Sequence, residues 1–354
     1  MTTSSDGFAL PAGFEPLAEH GRVLDAVVAA LVDVEDTLER VLTYDDEFAQ
    51  TATRHLAQAG GKRVRPVLTV LASLLADPEL ASGNVADISA DVRQAAVVME
   101  MTHLATLYHD DVMDEAPVRR GAPTAHRLWG NLAAILAGDL VFARASQLMS
   151  ELGPRAVRVQ ADTFERLVLG QLWETRGAQE GEDELEHYFK VLGGKTGSLI
   201  AAAGVLGTFL SGADEETVQV LAAYGEEVGL AFQLADDLID LTSTQEQLGK
   251  TPGTDLREGV PTLTTILLRR AAAGEGANAE SARAALAMVD GPLEQDDQLA
   301  DAVAAITAHP VMEQAWEMTR ARADAAKQAL APLPESVIKD ALAGFADYVV
   351  RRAS

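Results

Sequence analysis

Two short segments set the terms on which this chain of 354 residues can fold: Asp110-Asp111-Val112-Met113-Asp114 and Asp236-Asp237-Leu238-Ile239-Asp240. Each follows an apolar run of helix-forming residues, Met99 to Tyr108 in one case and Leu230 to Ala235 in the other. Residues four apart share a helix face, so Asp110 pairs with Asp114 and Asp236 with Asp240. One such cluster reads as an exposed helix face. Two copies, both embedded in apolar sequence, need cations, because neighbouring carboxylates repel and resist leaving water. Oxygen ligands without cysteine and without a histidine pair suit hard Mg²⁺, which keeps several waters and is completed by substrate phosphates. A calcium EF-hand does not fit, since its alternating oxygen ligands, Gly and distant Glu are missing.

The rest of the sequence is helical in pattern. After residue 20, Ala, Leu, Glu and Arg dominate and apolar residues recur at spacings of three and four, while alternating β-branched runs are scarce. The expected fold class is all-α. Breaks at Gly60-Gly61, Ala116-Pro117, Gly121 to Pro123, Gly193-Gly194, Thr251 to Gly253 and His309-Pro310 leave bundle-like segments with no fixed repeat. No linker divides them, so residues 21–354 are expected to form one domain, preceded by a disordered or loosely packed N-terminus over residues 1–20. The run Gln179 to Glu186 reads as a solvated acidic loop leading into a helix. The N-terminus lacks the pattern of a signal peptide, and the apolar runs fall short of the roughly 18 to 20 residues of a membrane span. A cytoplasmic protein without a spanning helix is expected.

Composition narrows the partners. With 54 acidic against 28 basic residues the formal charge is −26, which argues against nucleic acids and anionic membranes as ligands. Anion chemistry must therefore be local. The chain has no cysteine, which excludes disulfides, thiolate nucleophiles and Cys-ligated metal centres. In Gly60-Gly61-Lys62-Arg63-Val64-Arg65-Pro66, Lys62 and Arg65 stand three apart after a flexible glycine pair, an arrangement suited to gripping a diphosphate at a helix start. Arg119-Arg120-Gly121 follows the first carboxylate cluster and can reach an anion held by its metals. His103 lies two helical turns before Asp110 on the same face. Lys195-Thr196 and Lys250 each follow a glycine. Neither belongs to a Walker A loop, because Phe189 and Thr244 stand where that loop needs Gly.

Taken in order, Gly60 to Pro66, His103, Asp110 to Asp114 with Arg119-Arg120-Gly121, Gly170-Gln171, Gly194-Lys195-Thr196, Phe232 to Asp240, and Gly249-Lys250 through Asp255 resemble the motifs of trans-isoprenyl diphosphate synthases, the polyprenyl synthetase family. The similarity covers about residues 20 to 352, and Thr102 to Glu115 is most like bacterial long-chain polyprenyl diphosphate synthases. The resemblance implies an all-helical bundle of roughly ten or more helices around a central cavity, and a homodimer. It implies that Asp110, Asp111, Asp114, Asp236, Asp237 and Asp240 face one another across the cavity mouth. There they would hold about three Mg²⁺ ions, with Mn²⁺ as a possible substitute. By the same likeness Arg119, Lys195 and Lys250 contact an allylic diphosphate, and Lys62, Arg65, His103 and Arg120 bind isopentenyl diphosphate. Thr196 and Gln233 stabilise the allylic cation, with Gln171 near the metals. Val260 stands where the family often has Lys, so residue 260 takes no anion role. Arg351 and Arg352 could close over the second diphosphate, although a basic C-terminal tail reads more often as plain surface.

The implied reaction joins isopentenyl diphosphate to a dimethylallyl, geranyl, farnesyl or geranylgeranyl diphosphate by ionisation, condensation and proton elimination. No side-chain nucleophile is needed. Product length depends on the floor below the first cluster, where Thr106 and Ala105 are not aromatic, and the next floor falls near Met101 or Val97 and Val98. Each isoprene is about one helical turn long, so a product of about 30 to 50 carbons is expected. This product would pass to membrane enzymes. The alternatives are a geranylgeranyl diphosphate synthase, a cyclase that uses the allylic substrate alone, and a non-catalytic subunit of a heteromeric synthase.

Overall fold

A computed structural model describes residues 10–76, 88–243 and 252–352, and it is helical almost throughout, as the sequence pattern predicts. Where one domain is expected over 21–354, the described residues sort into two compact units interleaved along the chain. The first draws on residues 10–165, 199–225 and 329–345, the second on residues 166–198, 226–328 and 346–352.

The first unit holds α1 (Gly21–Val41), α2 (Glu47–Gln58), α3 (Val64–Ser73), α4 (Ala90–Met113), α5 (Ala125–Trp129) and α6 (Asn131–Glu151). Side-chain caps fix two helix starts: Asp46 accepts from the Ala49 N–H at 2.7 Å and Ser89 from the Val92 N–H at 3.3 Å. α4 is buried on nearly every side from Val92 to Tyr108, which explains why its sequence shows little amphipathic contrast. The expectation of a loose start fails for residues 10–20. Leu10, Phe14 and Leu17 are buried, and Phe14 stacks on Phe345 with ring centroids 4.8 Å apart, so this segment has a core of its own to join.

A short hairpin follows α4, with β1 (Val118–Arg119) antiparallel to β2 (Ala122–Pro123). Its turn residues, Arg120 at φ 54° and Gly121 at φ 78°, both lie in the left-handed region that a two-residue hairpin turn requires. α7 (Pro154–Arg176) and α10 (Glu215–Thr242) contribute to both units, and α9 (Ser198–Leu210) supplies the tightest contact of the first. A Cβ placed on Gly207 of α9 would lie 2.2 Å from the Thr69 carbonyl oxygen of α3. That close approach anchors the helix that begins immediately after Lys62 and Arg63.

In the second unit, α8 (Glu184–Leu192) starts at Asp183, whose carboxylate caps the N–H groups of Leu185 and Glu186, and Arg270 pairs with the same carboxylate. α11 (Thr254–Arg257), α12 (Leu263–Ala272), α13 (Ala277–Val289), α14 (Asp296–Thr307), α15 (Val311–Ala329) and the end of α16 (Val337–Arg351) follow. Leu234 and Leu238 of α10 pack with Leu263, Leu268 and Ile306 in its core. Gly193-Gly194, expected to break the chain, instead continues from α8 into α9 through a π-helical turn over Gly193–Gly197. Glu184–Leu210 is therefore long and apolar enough to cross a bilayer by length and composition alone, as is α6 (Asn131–Glu151), contrary to the reading of the separate runs. Two thirds of the former is buried within the protein, as in a core helix. α6 is different, for Leu132, Ile135, Leu136 and Leu140 are exposed along it.

Gly207→Ala tests the close approach. Overpacking against a backbone oxygen that cannot swing away is expected to cost about 1–3 kcal/mol, read as a lower midpoint in thermal or urea denaturation.

Candidate functional site

In the first unit, α4 carries His103, Asp110 and Asp111, and Asp114 caps its end. Asp111 is fully buried, its Oδ1 accepts from the Arg119 Nε at 2.6 Å, and its Oδ2 is buried with no hydrogen-bond partner among the described residues. A buried carboxylate oxygen left in this state costs free energy unless a cation or donor completes it. The hairpin turn brings Arg119 to this carboxylate and sends Arg120 the other way, where its Nη1 donates to the carbonyls of Leu56, at 3.1 Å, and Gly60. Gly61 leaves room for it, since a Cβ there would lie 2.8 Å from the Arg120 Cζ.

Arg120 meets the residues expected to bind a second diphosphate. Lys62 is exposed at the mouth of the segment before α3, and Arg65 sits half-buried in the first turn of that helix. Burial pushes the Arg65 guanidinium down to about 10, with Glu100 opposing and Arg120 adding to the shift. Burial, then the arginines at 65, 120, 119 and 63, hold the His103 imidazole well below its usual range, so it is neutral at pH 7. Three non-glycine residues among those described have left-handed backbones, Arg63, Glu115 and Arg120, and two of them, Arg63 and Arg120, belong to this cluster.

The second unit holds the second cluster on α10. Asp237 is buried; its Oδ2 accepts from the Tyr188 hydroxyl at 2.5 Å and its Oδ1 from the Gln233 Nε2 at 3.0 Å. Desolvation outweighs these bonds and, with Asp255 and Asp236 nearby, pushes the Asp237 carboxyl up to about 7. Asp240 is buried, and its Oδ2 accepts from the Asp255 N–H at 3.3 Å. Asp236 is half-exposed and pairs with Arg352 at 2.7 Å. Thr196 Oγ1 donates to Gln233 Oε1 at 3.2 Å, and Lys195 forms an ion pair with Glu174. The π turn places both residues: a Cβ on Gly170 of α7 would lie 2.8 Å from the Lys195 nitrogen, and one on Gly229 of α10 would lie 2.8 Å from the Gly197 Cα. Glycine facing glycine thus lets three helices close around Lys195 and Thr196. Such turns recur at functional sites. Gln171 lies beside this segment with its Oε1 buried and unbonded among the described residues.

The structure therefore gathers Arg65, His103, Asp111, Arg119 and Arg120 in one unit, and Lys195, Thr196, Gln233, Asp236, Asp237 and Asp240 in the other. Lys250 lies outside the described residues. Arg352 corrects the reading of the basic tail as plain surface. Its side chain is only 8% exposed, it donates to the Phe232 carbonyl at 3.0 Å, and its guanidinium lies 4.0 Å from the centre of the Phe232 ring. Tyr188, Glu174, Asp255, Glu100 and Arg63 are further members that spacing along the sequence did not reveal. Among the described residues no three acidic or histidine side chains converge on a point where they would hold an ion unaided. The oxygen-only donors and the orphaned Asp111 Oδ2 nonetheless fit a hard cation completed by waters and phosphate oxygens.

The sequence matches the family described as Polyprenyl synthetase over residues 46–306. It is 46% identical over 328 residues to nonaprenyl diphosphate synthase of Mycobacterium tuberculosis, covering 92% of this chain and 93% of that protein. The fold is similar to geranylgeranyl pyrophosphate synthase from Corynebacterium glutamicum, solved with calcium and isoprenyl diphosphate: TM-score 0.79, 40% identity, 93% of this chain and 96% of that one. It is also similar to a decaprenyl diphosphate synthase from Rhodobacter capsulatus, with TM-score 0.80, 34% identity, and coverage of 95% and 99%.

Arg352→Gln removes the partner of Asp236 and a charged donor to Phe232. The expected loss is about 1–2 kcal/mol of stability, seen as a lower melting midpoint, whereas a surface arginine would leave it unchanged.

Proposed function

The chain belongs to the polyprenyl synthetase family, and from that premise we propose that it is a Mg²⁺-dependent prenyltransferase extending an allylic diphosphate with isopentenyl diphosphate to an all-trans product of about 30 to 50 carbons. The observation that carries this reading is that each aspartate cluster sinks carboxylates into the protein: Asp111 against Arg119 in one unit, and Asp237 and Asp240 in the other, on the helix where their neighbour Asp236 pairs with Arg352. The Corynebacterium neighbour's calcium and isoprenyl diphosphate support a divalent cation and a prenyl diphosphate as ligands.

In this reading Asp110, Asp111, Asp114, Asp236, Asp237 and Asp240 hold the cations. Bound Mg²⁺ supplies positive charge to the departing diphosphate. Arg119, Lys195 and Lys250 grip the allylic diphosphate; Arg119 and Lys195 hold Asp111 and Glu174 until it arrives. Lys62, Arg65 and Arg120 hold the diphosphate of isopentenyl diphosphate, with His103 as a neutral hydrogen-bonding group beside them. Thr196 and Gln233 turn oxygen dipoles toward the allylic cation, and Gln233 is steadied by its bond to Asp237. The double bond of isopentenyl diphosphate attacks the allylic carbon, and the proton lost from the adduct goes to the released diphosphate.

Chain length rests on Ala105, Thr106 and Met101 of α4. Ala105 and Met101 are buried, Thr106 is half-buried with its hydroxyl on the His103 carbonyl, and none is aromatic. The exposed apolar face of α6, with Leu132, Ile135, Leu136 and Leu140, supports a homodimer, because a contiguous apolar patch of this kind marks a protein contact. A cytoplasmic location, with product passing to membrane enzymes, completes the reading.

Incubation of the purified chain with Mg²⁺, labelled isopentenyl diphosphate and each of the four allylic primers tests it. Elongated products of about 30 to 50 carbons are expected, with loss of both elongation and diphosphate binding on chelation. Absence of elongation with every primer would sink the proposal, and a product that stops at geranylgeranyl diphosphate would correct its length. Ala105→Phe is expected to shorten the product ladder by placing a ring below the first cluster; an unchanged ladder would remove residue 105 from the length-setting floor.

A further inference from the structure

Arginines gather in the first unit at a density that needs its own explanation. Arg63, Arg65, Arg119 and Arg120 all act on His103, and Arg63 and Arg65 face Arg120. Like charges at this separation repel, and they are only stable together if a counter-charge lies among them. Glu100 is that counter-charge. It sits one turn before His103 on the buried length of α4, is 2% exposed, accepts from the Arg63 Nη1 at 2.7 Å and lies 3.8 Å from the Arg120 Nη2.

Arg63 itself is buried and taken up by protein partners. Its side chain is 6% exposed, its Nε and Nη2 reach the two oxygens of Glu35 at 2.5 and 3.1 Å, and Nη2 also donates to the Ala57 carbonyl at 2.9 Å. With every nitrogen engaged, this guanidinium is a strut joining α1, the end of α2 and α4 across the segment that carries Lys62 and Arg65. Its left-handed backbone, φ 49°, sits at the cap of α3, so its position sets the direction in which Lys62 and Arg65 leave the chain. The Glu100 oxygen that receives Arg63 is also the one nearest Arg120, the next arginine expected at the diphosphate.

We propose that Glu100 is a positioning residue for isopentenyl diphosphate: through Arg63 it fixes the Lys62–Arg65 segment, and through its charge it lets Arg120 and Arg65 stand side by side before substrate arrives. The inference rests on the proposed prenyltransferase activity. It assigns Glu100 and Arg63 no contact with substrate. Preorganisation of this kind acts on binding of one substrate and leaves the allylic partner and the chemical step largely alone.

Steady-state kinetics of the full chain with Glu100→Gln, Glu100→Asp and Glu35→Gln separate the possibilities. Glu100→Gln is expected to raise KM for isopentenyl diphosphate about tenfold or more, with kcat and KM for the allylic primer within about threefold of the wild type. Glu100→Asp, which keeps the charge, should recover part of that loss, and Glu35→Gln, which frees only the outer end of Arg63, should raise the same KM by a smaller factor. If Glu100→Gln does not fold, the same split between the two KM values is read on Glu100→Asp and Glu35→Gln. Unchanged KM for isopentenyl diphosphate in the folded variants, or equal rises for both substrates, would overturn the inference. Failure of the wild type to elongate any primer would instead defeat the activity on which it rests.

Discussion

Charge of one sign crowded inside a helical protein is the constraint from which this architecture follows. The two aspartate clusters and the arginine cluster are each unstable alone, and each is brought to rest by a neighbour of opposite sign. Arg119 holds one oxygen of Asp111, Arg352 meets Asp236, Lys195 meets Glu174, and Glu100 and Glu35 hold Arg63. Breaking one partner of such a buried pair costs more than the pair contributes, because the remaining charge is stranded. The compensation is incomplete at Asp111, whose second oxygen stays unbonded among the described residues. Incomplete compensation is what a substrate site requires, since groups fully satisfied by the protein have nothing left to offer a ligand.

Much of this was legible in the sequence because it is local. The spacing of Asp110, Asp111 and Asp114 puts them on one helix, the glycines at 60 and 61 free the segment before α3, and Arg119-Arg120-Gly121 follows the first cluster closely enough to serve an anion there, although the turn that sends its two arginines in different directions appears only in the structure. Helical periodicity gave the fold class for the same reason. The contributions that escaped come from partners distant in sequence. Glu100 is a single acid in an apolar helix, and its meaning depends on Arg63, 37 residues away, and on Arg120. Arg352 lies 120 residues from the carbonyl it binds, so composition assigns it to the surface. Tyr188 and Asp237 meet across 49 residues. Dipeptide punctuation also misled: Gly193-Gly194 looks like a break, yet the chain continues as helix through it and Gly194 serves contact with α7 rather than chain reversal.

Small residues do the positioning that charges cannot. Gly207 brings α9 onto the backbone of α3, Gly170 and Gly194 bring α7 onto the π turn, and Gly229 meets Gly197. In each case the group served is polar or charged and the means is close approach of two backbones. The electrostatic site is thus held at the distances that packing of apolar helices dictates, which is why glycine substitutions and charge substitutions bear on the same residues.

The π turn over Gly193–Gly197 has a consequence for how the site could change over time. A π turn is a regular helix with one residue inserted, and the wide turn absorbs that residue locally, so the phase of the residues within it shifts by up to about 100° while the helix beyond keeps its own. Lys195 and Thr196 therefore owe their rotational phase to a single extra position rather than to their identities. Loss of that position would leave an unbroken apolar helix of good stability with its cation and hydroxyl turned to another side. Ancestry by insertion and decay by deletion would both be single steps here, with no need to disturb the surrounding core.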